Sequence, residues 1–294
     1  MALALLAQAW THSTGRSLRT VTVDHRLRAD SGTEAAQVGA WLAARGIAHD
    51  VLAWTGDKPT NGIQEAARAA RYRLIAAWAE RHAIGHVLVA HHLDDQAETI
   101  LMRLARGSGI TGLAGMRSVA VRHGMRLCRP LLSIPKARLL ATVRTAGQDW
   151  VEDPSNSAAK FARTGYRRLN GLLADRGAGA AHLAAIAQSF ARLDALMQTA
   201  TRRVLGVAVV RLADGTVTVP LALYAALPDA IAARLLRDIL AEVGRRPLAP
   251  RGDRLARARE RLTGGGGAAF TLGGCRIGIR KGEVRFSRET GRSA

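Results

Sequence analysis

The chain has 294 residues, 48% of them hydrophobic, and 43 Lys and Arg against 23 Asp and Glu, a formal net charge of +20. That length suits about two domains, no apolar run approaches the roughly 20 residues of a membrane-spanning helix, and the N-terminus lacks a signal-peptide pattern. Cys128 and Cys275 show no Cys-x-x-Cys spacing, which argues against zinc and iron–sulfur sites. We therefore expect a cytoplasmic protein, not bound to membranes, whose excess positive charge suits a polyanion such as RNA.

Strands and helices are predicted to alternate along the first half of the chain. In chain order the predicted elements are a helix at 1–10, a strand at 18–23, a helix at 34–45, a strand at 48–54, a helix at 61–82, a strand at 86–90, a helix at 93–104, a strand at 127–132 and a helix at 136–146. Alternation at this spacing implies parallel βαβ units and therefore an α/β fold with a doubly wound, Rossmann-like sheet.

The second half is predicted to be mainly helical. Residues 149–156 are rich in turn formers and indicate an exposed linker. The elements predicted after it are helices at 161–173, 180–204, 224–244 and 250–262, a hairpin at 214–220 and two or three short strands within 270–286. We accordingly divide the chain into a first domain at 1–156, a helical domain at 157–263 and a small β extension at 264–294.

The segment 90–116 holds the densest group of chemically active side chains, because two histidines and three carboxylates meet where a strand ends and a helix begins. In α/β proteins ligands bind at that end of the sheet, and a helix N-terminus offers free N–H donors to an anion. Asp94 and Asp95 lie four and three residues before Glu98, so the three side chains can share one helical face. Such a face would hold a cation or an amine, although acidic residues in a first turn also complement the helix dipole.

Several separated motifs, taken together and in order, resemble the tRNA(Ile)-lysidine synthetase family of the ATP-pyrophosphatase (PP-loop) superfamily. They are 23–28 (Val-Asp-His-Arg-Leu-Arg), 64–72 (Gln-Glu-Ala-Ala-Arg-Ala-Ala-Arg-Tyr), 91–99 (His-His-Leu-Asp-Asp-Gln-Ala-Glu-Thr), 106–109 (Arg-Gly-Ser-Gly) and 153–156 (Asp-Pro-Ser-Asn). The resemblance covers residues 1–170 strongly. It continues weakly through Arg251-Gly252-Asp253 and Leu272-Gly273-Gly274-Cys275.

The resemblance implies an adenine-nucleotide α-hydrolase type of sheet and a ligase that uses ATP and Mg²⁺. In this family ATP adenylates the C2 oxygen of the wobble cytidine of a tRNA(Ile) with a CAU anticodon, and the amine of L-lysine then displaces AMP. The first domain would be catalytic and the helical domain would bind tRNA. The oligomeric state is left open, with a homodimer as one option.

Particular residues acquire expected roles from this reaction. Asp95 and Glu98 would hold the lysine ammonium and accept its proton, and Asp94 would bind the metal ion. Arg163, with Arg167 and Arg168 as further candidates, would contact the tRNA or its reacting nucleotide. The residues expected to contact ATP are Asp24, His25, Arg28, His91, Arg106 and Gly107.

The family's phosphate-holding loop, Ser-Gly-Gly-x-Asp-Ser, does not occur in these residues, nor does the strand before it. That strand would lie between those ending at Val23 and Ala90, so we expect a sheet without its central strand and a reading frame that starts upstream of Met1. If the chain truly begins at Met1, we expect no exchange of pyrophosphate with ATP and poor solubility. Two alternatives therefore stay open: a non-catalytic remnant that binds tRNA, and a metal-dependent phosphohydrolase that uses the His and Asp residues near His91.

Overall fold

The structure is a computed structural model. It describes residues 1–151, 162–246, 250, 252–265 and 268–289, without the side chains of 162–164. The motif at 153–156 and Arg251 lie outside the described residues. The chain forms two compact units, Met1–Ala191 and Arg192–Ala294. In the portion that the structure describes, no helix has both the length and the apolarity needed to cross a bilayer.

The first unit alternates strands and helices, as predicted. Its helices are α1 (Ala2–Thr14), α2 (Ser31–Ala43), α3 (Ile63–Arg81), α4 (Leu93–Ala105), α5 (Ile110–Leu113), α6 (Lys136–Thr145), α7 (Ala162–Ala174) and the beginning of α8 (Ala180–Ala208). Its strands are β1 (Arg19–Asp24), β2 (Ala48–Ala53), β3 (His86–Leu88), β4 (Val119–Arg122) and β5 (Met125–Cys128).

The strands of this unit form two sheets. β1 pairs with β2 in parallel, from Arg19 opposite Ala48 to Asp24 opposite Ala53. The second sheet has the order β3-β5-β4, with β3 parallel to β5 and β4 antiparallel to it. Within the described residues β1 and β3 are not hydrogen-bonded neighbours. The break between the two sheets lies where the resemblance predicted that a central strand is absent.

Helix α3 covers both sheets with its apolar side chains. Tyr72, Ile75 and Trp78 are buried against Val87 of β3, and they form one cluster with Met125 and Leu127 and with the partly buried Val21, Val23 and Leu52. Burial of each large apolar side chain contributes about 1.5–3 kcal/mol. The helix thereby packs against both β1 and β3 and fixes them relative to each other.

The predicted strand at 127–132 is wrong in its position, and its partner β4 was missed. β5 ends at Cys128, before Pro130, which has no N–H to donate to a ladder. β4 and β5 are joined by His123 and Gly124, with φ of 48° and 77°. Two successive residues with positive φ are the signature of a tight two-residue hairpin, and the Gly after an alternating segment was the available signal.

The second unit combines helices with one antiparallel sheet. Its elements after α8 are β6 (Val210–Arg211), β7 (Val217–Pro220), α9 (Leu221–Ala226), α10 (Asp229–Gly244), α11 (Gly252–Thr263), β8 (Phe270–Leu272), β9 (Cys275–Arg280) and β10 (Glu283–Arg288). The strand order is β6-β7-β10-β9-β8. Tyr224, Leu235, Ile239 and Phe286 are completely buried in its core. β7 of the predicted helical domain pairs with β10 of the predicted extension that follows residue 263. The functional limits of the domains stay predictions.

The single helix predicted at 224–244 is wrong, because the structure divides it into α9 and α10. Leu227 is extended, with φ of −68° and ψ of 143°, and Pro228 caps α10. A residue before proline is sterically driven out of the helical region, and the proline itself cannot donate a helical hydrogen bond. The break therefore follows from Pro228, which the apolar periodicity concealed.

Candidate active site

Asp24 lies at the carboxyl end of β1 and is 8% exposed. Its Oδ1 accepts the N–H of Arg26 at 2.8 Å, and Arg26 has a left-handed φ of 50° that turns the chain sharply. Burial opposes ionisation of Asp24, but hydrogen bonds from Ser31 and Arg26 and the charges of Arg26 and His25 outweigh it and hold the pKa of the carboxyl below its ordinary value. Asp24 is therefore a stable carboxylate at the strand end.

His25, the next residue, lies between an aromatic ring and a guanidinium. Its ring packs edge-on against Trp54 with centroids 5.9 Å apart, and Arg71 of α3 donates to Nε2 at 3.2 Å. Burial, followed by the charge of Arg71, lowers the pKa of His25. Because Nε2 accepts, the neutral ring carries its proton on Nδ1, which is buried without a hydrogen-bond partner among the described residues.

Basic side chains surround this strand end. Arg28 donates to Glu34 Oε2 at 2.7 Å. Lys58 Nζ donates to the carbonyl of Arg26 at 2.6 Å and lies 5.5 Å from the Trp54 ring centroid. These cations favour an anionic ligand near Asp24 and His25.

The two aspartates at the start of α4 each support a helix N-terminus. The N–H of His92, the N-cap residue, donates to Asp95 Oδ2 at 3.0 Å, and the N–H of Lys136, which begins α6, donates to Asp94 Oδ2 at 2.9 Å. The capping function considered from the sequence is thus present. The Asp94 and Asp95 side chains remain 35% and 22% exposed, so a ligand can still reach them.

Glu98, one turn further along α4, is 4% exposed. Arg167 of α7 donates from Nε to its Oε1 at 2.7 Å, whereas Oε2 is buried and has no partner among the described residues. A buried carboxylate oxygen without a hydrogen bond is costly unless a ligand satisfies it. Glu98 is therefore the strongest candidate in this segment for binding a cationic group.

The structure brings only part of the predicted site together. α3 connects its two halves, because Arg71 contacts His25 while the adjoining Tyr72 packs in the cluster that contains Val87 of β3. His91 is half-buried in the turn between β3 and α4. Arg106 caps the other end of α4, so it and Gly107 lie about 20 Å from His92 at a rise of about 1.5 Å per residue. Arg163 lies on α7, but its side chain is not described.

A dedicated metal cage is not seen in the described part of the chain, where no three His, Cys, Asp or Glu side chains are grouped suitably. That gives no support to the metal-dependent phosphohydrolase. It is compatible with Mg²⁺ that arrives on nucleotide phosphates, because such ions need only one or two carboxylates and retain several waters. The exposed part of Asp94 suits this limited role.

Three residues of the site were not predicted, namely Trp54, Lys58 and Arg71. Trp54 ends a predicted strand and Lys58 follows it. If the pairing of β2 with β1 had been known, this position would have placed both residues near Asp24. The motif at 64–72 includes Arg71 but predicts no role in the site for it. Its contact with His25 bridges 46 positions in the sequence, which periodicity does not predict.

Comparison with known proteins identifies the family and the fold of the chain. Residues 1–170 match the PP-loop domain family. The tRNA(Ile)-lysidine synthase of Bradyrhizobium sp. is 42% identical, over 98% of this chain and 86% of that protein. The one from Methylobacterium sp. is 42% identical, over 91% of this chain and 80% of that protein. Among solved structures, the U34-tRNA thiolase NcsA from Methanococcus maripaludis is 14% identical with a TM-score of 0.54, covering 65% of this chain and 68% of that one, which indicates a common fold.

Proposed function

The chain belongs to the tRNA(Ile)-lysidine synthase family of PP-loop proteins, and on that premise we propose that it ligates L-lysine to C2 of the wobble cytidine of a tRNA(Ile) with a CAU anticodon. ATP supplies the activation. The observation that contributes most is the buried Glu98, whose Oε2 has no partner among the described residues, on the same helix as Asp95. Two carboxylates on one helical face suit the ammonium group of lysine.

In the first step the C2 oxygen of the cytidine attacks the α-phosphorus of ATP, the bond to the β-phosphate oxygen breaks, and pyrophosphate leaves. Negative charge on the phosphates requires nearby cations and N–H donors. Arg28, Lys58 and the Nδ1–H of His25 would supply them at the end of β1, and His91 would do so at the start of α4. Asp24 would orient Arg26 and the turn that carries His25.

In the second step the lysine ε-nitrogen forms a bond to C2 and AMP leaves with the former C2 oxygen. The amine must lose its proton before or during attack, and a carboxylate within hydrogen-bond distance can accept it. Asp95 and Glu98 would hold the ammonium and receive that proton, while Arg167 keeps Glu98 in place. Arg163 would contact the reacting nucleotide.

Mg²⁺ bound with ATP would be held by Asp94, and it would neutralise phosphate charge and make pyrophosphate a better leaving group. Asp94 accepts only one described backbone hydrogen bond, from Lys136. A carboxylate has capacity for further ligands. The residues present therefore fit a metal ion shared with the nucleotide.

Incorporation of radiolabelled lysine into tRNA tests the proposal. The protein is incubated with ATP, Mg²⁺, labelled lysine and tRNA(Ile) carrying CAU, and the acid-precipitable label is counted. We expect label only when ATP is present, and none in a tRNA whose wobble cytidine is replaced by uridine. Metal-stimulated cleavage of a generic phosphodiester without any lysine incorporation would contradict it and would support a phosphohydrolase.

A further inference from the structure

A group of four arginines surrounds one tyrosine on the outer part of the second sheet. The guanidiniums of Arg68 and Arg122 lie 5.3 Å and 4.5 Å from the ring centroid of Tyr72. Arg129 makes a side-chain hydrogen bond with Tyr72, and the charges of Arg68 and Arg122 act on its pKa. The charge of Arg68 likewise acts on the pKa of Arg103. We call these four arginines and Tyr72 the arginine cluster.

Strand pairing explains how residues so distant in sequence meet. Arg122 lies opposite Met125 and Ala120 opposite Leu127 in the β4-β5 ladder, so Arg122 is on the face that Met125 and Leu127 bury against α3. Directly opposite residues of an antiparallel pair point to the same face. Arg129, two residues beyond Leu127, continues that face.

No acidic partner of the cluster is found among the residues that the structure describes. Among the ion pairs of the described residues, none involves Arg68, Arg103, Arg122 or Arg129. Arg103 and Arg129 donate instead to backbone carbonyls. Arg129 is 8% exposed, and its Nε is buried without a hydrogen-bond partner in the part of the chain that the structure describes.

Burial, followed by the charge of Arg68, lowers the pKa of Arg103. Burial also lowers the pKa of Arg129; Tyr72 opposes this shift, and the charges of Arg68 and Arg122 add to it. The cations therefore repel one another in a partly dry environment, and a bound anion would relieve that repulsion. Exposed Arg68 and Arg122 leave the cluster open to a large ligand.

We propose that the arginine cluster binds a backbone phosphate of the tRNA substrate, an inference that rests on the proposed function. Arg is suited to this ligand because its planar guanidinium donates to phosphate oxygens in pairs. Arg122, an exposed member of the cluster, lies on β4, the outer strand of the order β3-β5-β4, opposite Met125 at the start of β5, whereas nucleotides bind at the carboxyl ends of parallel strands. A phosphate of the RNA chain therefore suits it better than a phosphate of ATP.

Salt-dependent binding of fluorescent tRNA(Ile) tests this site with Arg68→Ala and Arg122→Ala. The matched control is Arg126→Ala, because Arg126 is exposed on the same hairpin and lies opposite Val121, on the other face. Each neutralised phosphate contributes about 0.7–0.9 to the slope of log affinity against log salt. We expect each cluster variant to lose about that much slope and to bind about 5–8-fold more weakly at about 0.1 M salt, with ATP binding unchanged.

An unchanged slope in Arg68→Ala and Arg122→Ala would overturn the proposal, as would an equal loss in Arg126→Ala. A loss of ATP affinity with normal tRNA affinity would assign the cluster to the nucleotide instead. If the unaltered protein binds tRNA but transfers no lysine, the proposed function is wrong. The salt-dependence slopes of the variants would still show whether the cluster binds a phosphate of the tRNA. If it binds no RNA, both proposals fail.

Discussion

Replacement of Arg167 by alanine should destabilise the protein through Glu98. The variant leaves a carboxylate that is 4% exposed without the only hydrogen bond described for it, from Arg167 Nε at 2.7 Å. Breaking a fully buried ion pair costs about 3–5 kcal/mol, and an orphaned buried acceptor about 1–3 kcal/mol. Because the Arg167 side chain is 41% exposed, water can partly replace it, and we expect a loss of about 2 kcal/mol.

Thermal unfolding followed by calorimetry measures this effect. A loss of about 2 kcal/mol corresponds to a decrease in Tm of about 4–8 °C for a unit of this size. Glu98→Gln in the Arg167→Ala background removes the uncompensated charge and should restore more than half of the decrease. Arg168→Ala is the matched control, because Arg168 is exposed on the same helix. The reasoning is refuted if Arg168→Ala has the same effect, or if the two changes in the double variant simply add.

Three further predictions concern the site and its support. Glu98→Gln should keep tRNA adenylation but weaken lysine transfer about 10-fold or more, because a hydrogen bond to a charged group is worth about 1.5–3 kcal/mol; normal lysine transfer would contradict the assignment. Burial and Arg71 lower the pKa of His25, so folding favours the neutral ring. The folded protein should therefore keep its full stability above the unfolded pKa of about 6.5 and lose stability as the pH falls below it. An NMR titration midpoint of His25 at or above that value would disprove this. Gly115→Ala should destabilise the folded protein by about 2 kcal/mol, because Gly115 has φ of 67° and an added Cβ would lie 2.6 Å from Gln96 Nε2. The control is Gly107→Ala, where φ is 65° but the space around the Cβ is open. Its loss of stability, measured in the same way, should be clearly smaller.

The sequence predicted the elements that position the site, because their apolar periods are long and uninterrupted. α3 and α4 begin and end within a few residues of their predicted limits. The predicted strand at 18–23 corresponds to β1, which ends at Asp24. The placement of Asp24 and His25 after a strand, and of Asp94, Asp95 and Glu98 around one helix start, followed from those elements.

What the sequence did not predict depends on contacts between distant segments. The pairing of Glu98 with Arg167 spans 69 positions, and the bond from Lys136 to Asp94 spans 42. Periodicity within one element gives no information about such partners. The arginine cluster was missed for the same reason, because four separate segments contribute to it and each arginine alone resembles an ordinary exposed one.

The two errors, at the helix predicted at 224–244 and at the β4-β5 hairpin, arose where one or two residues redirect the chain. Such short interruptions are not visible in the hydrophobic pattern. Pro228 divides two apolar helices whose stripes otherwise continue into each other. His123 and Gly124 form a turn of only two residues. In both places the local residue chemistry, and not the hydrophobic pattern, determined the chain path.

The most direct test of the central claim is to isolate the adenylated tRNA. The protein is mixed with tRNA(Ile) carrying CAU and with ATP labelled at the α-phosphorus, first without lysine. We expect label to become attached to the tRNA with release of pyrophosphate, and addition of lysine to discharge it as AMP while lysidine forms. Label that stays in ATP or becomes attached to the protein, or AMP release without modified tRNA, would contradict the account.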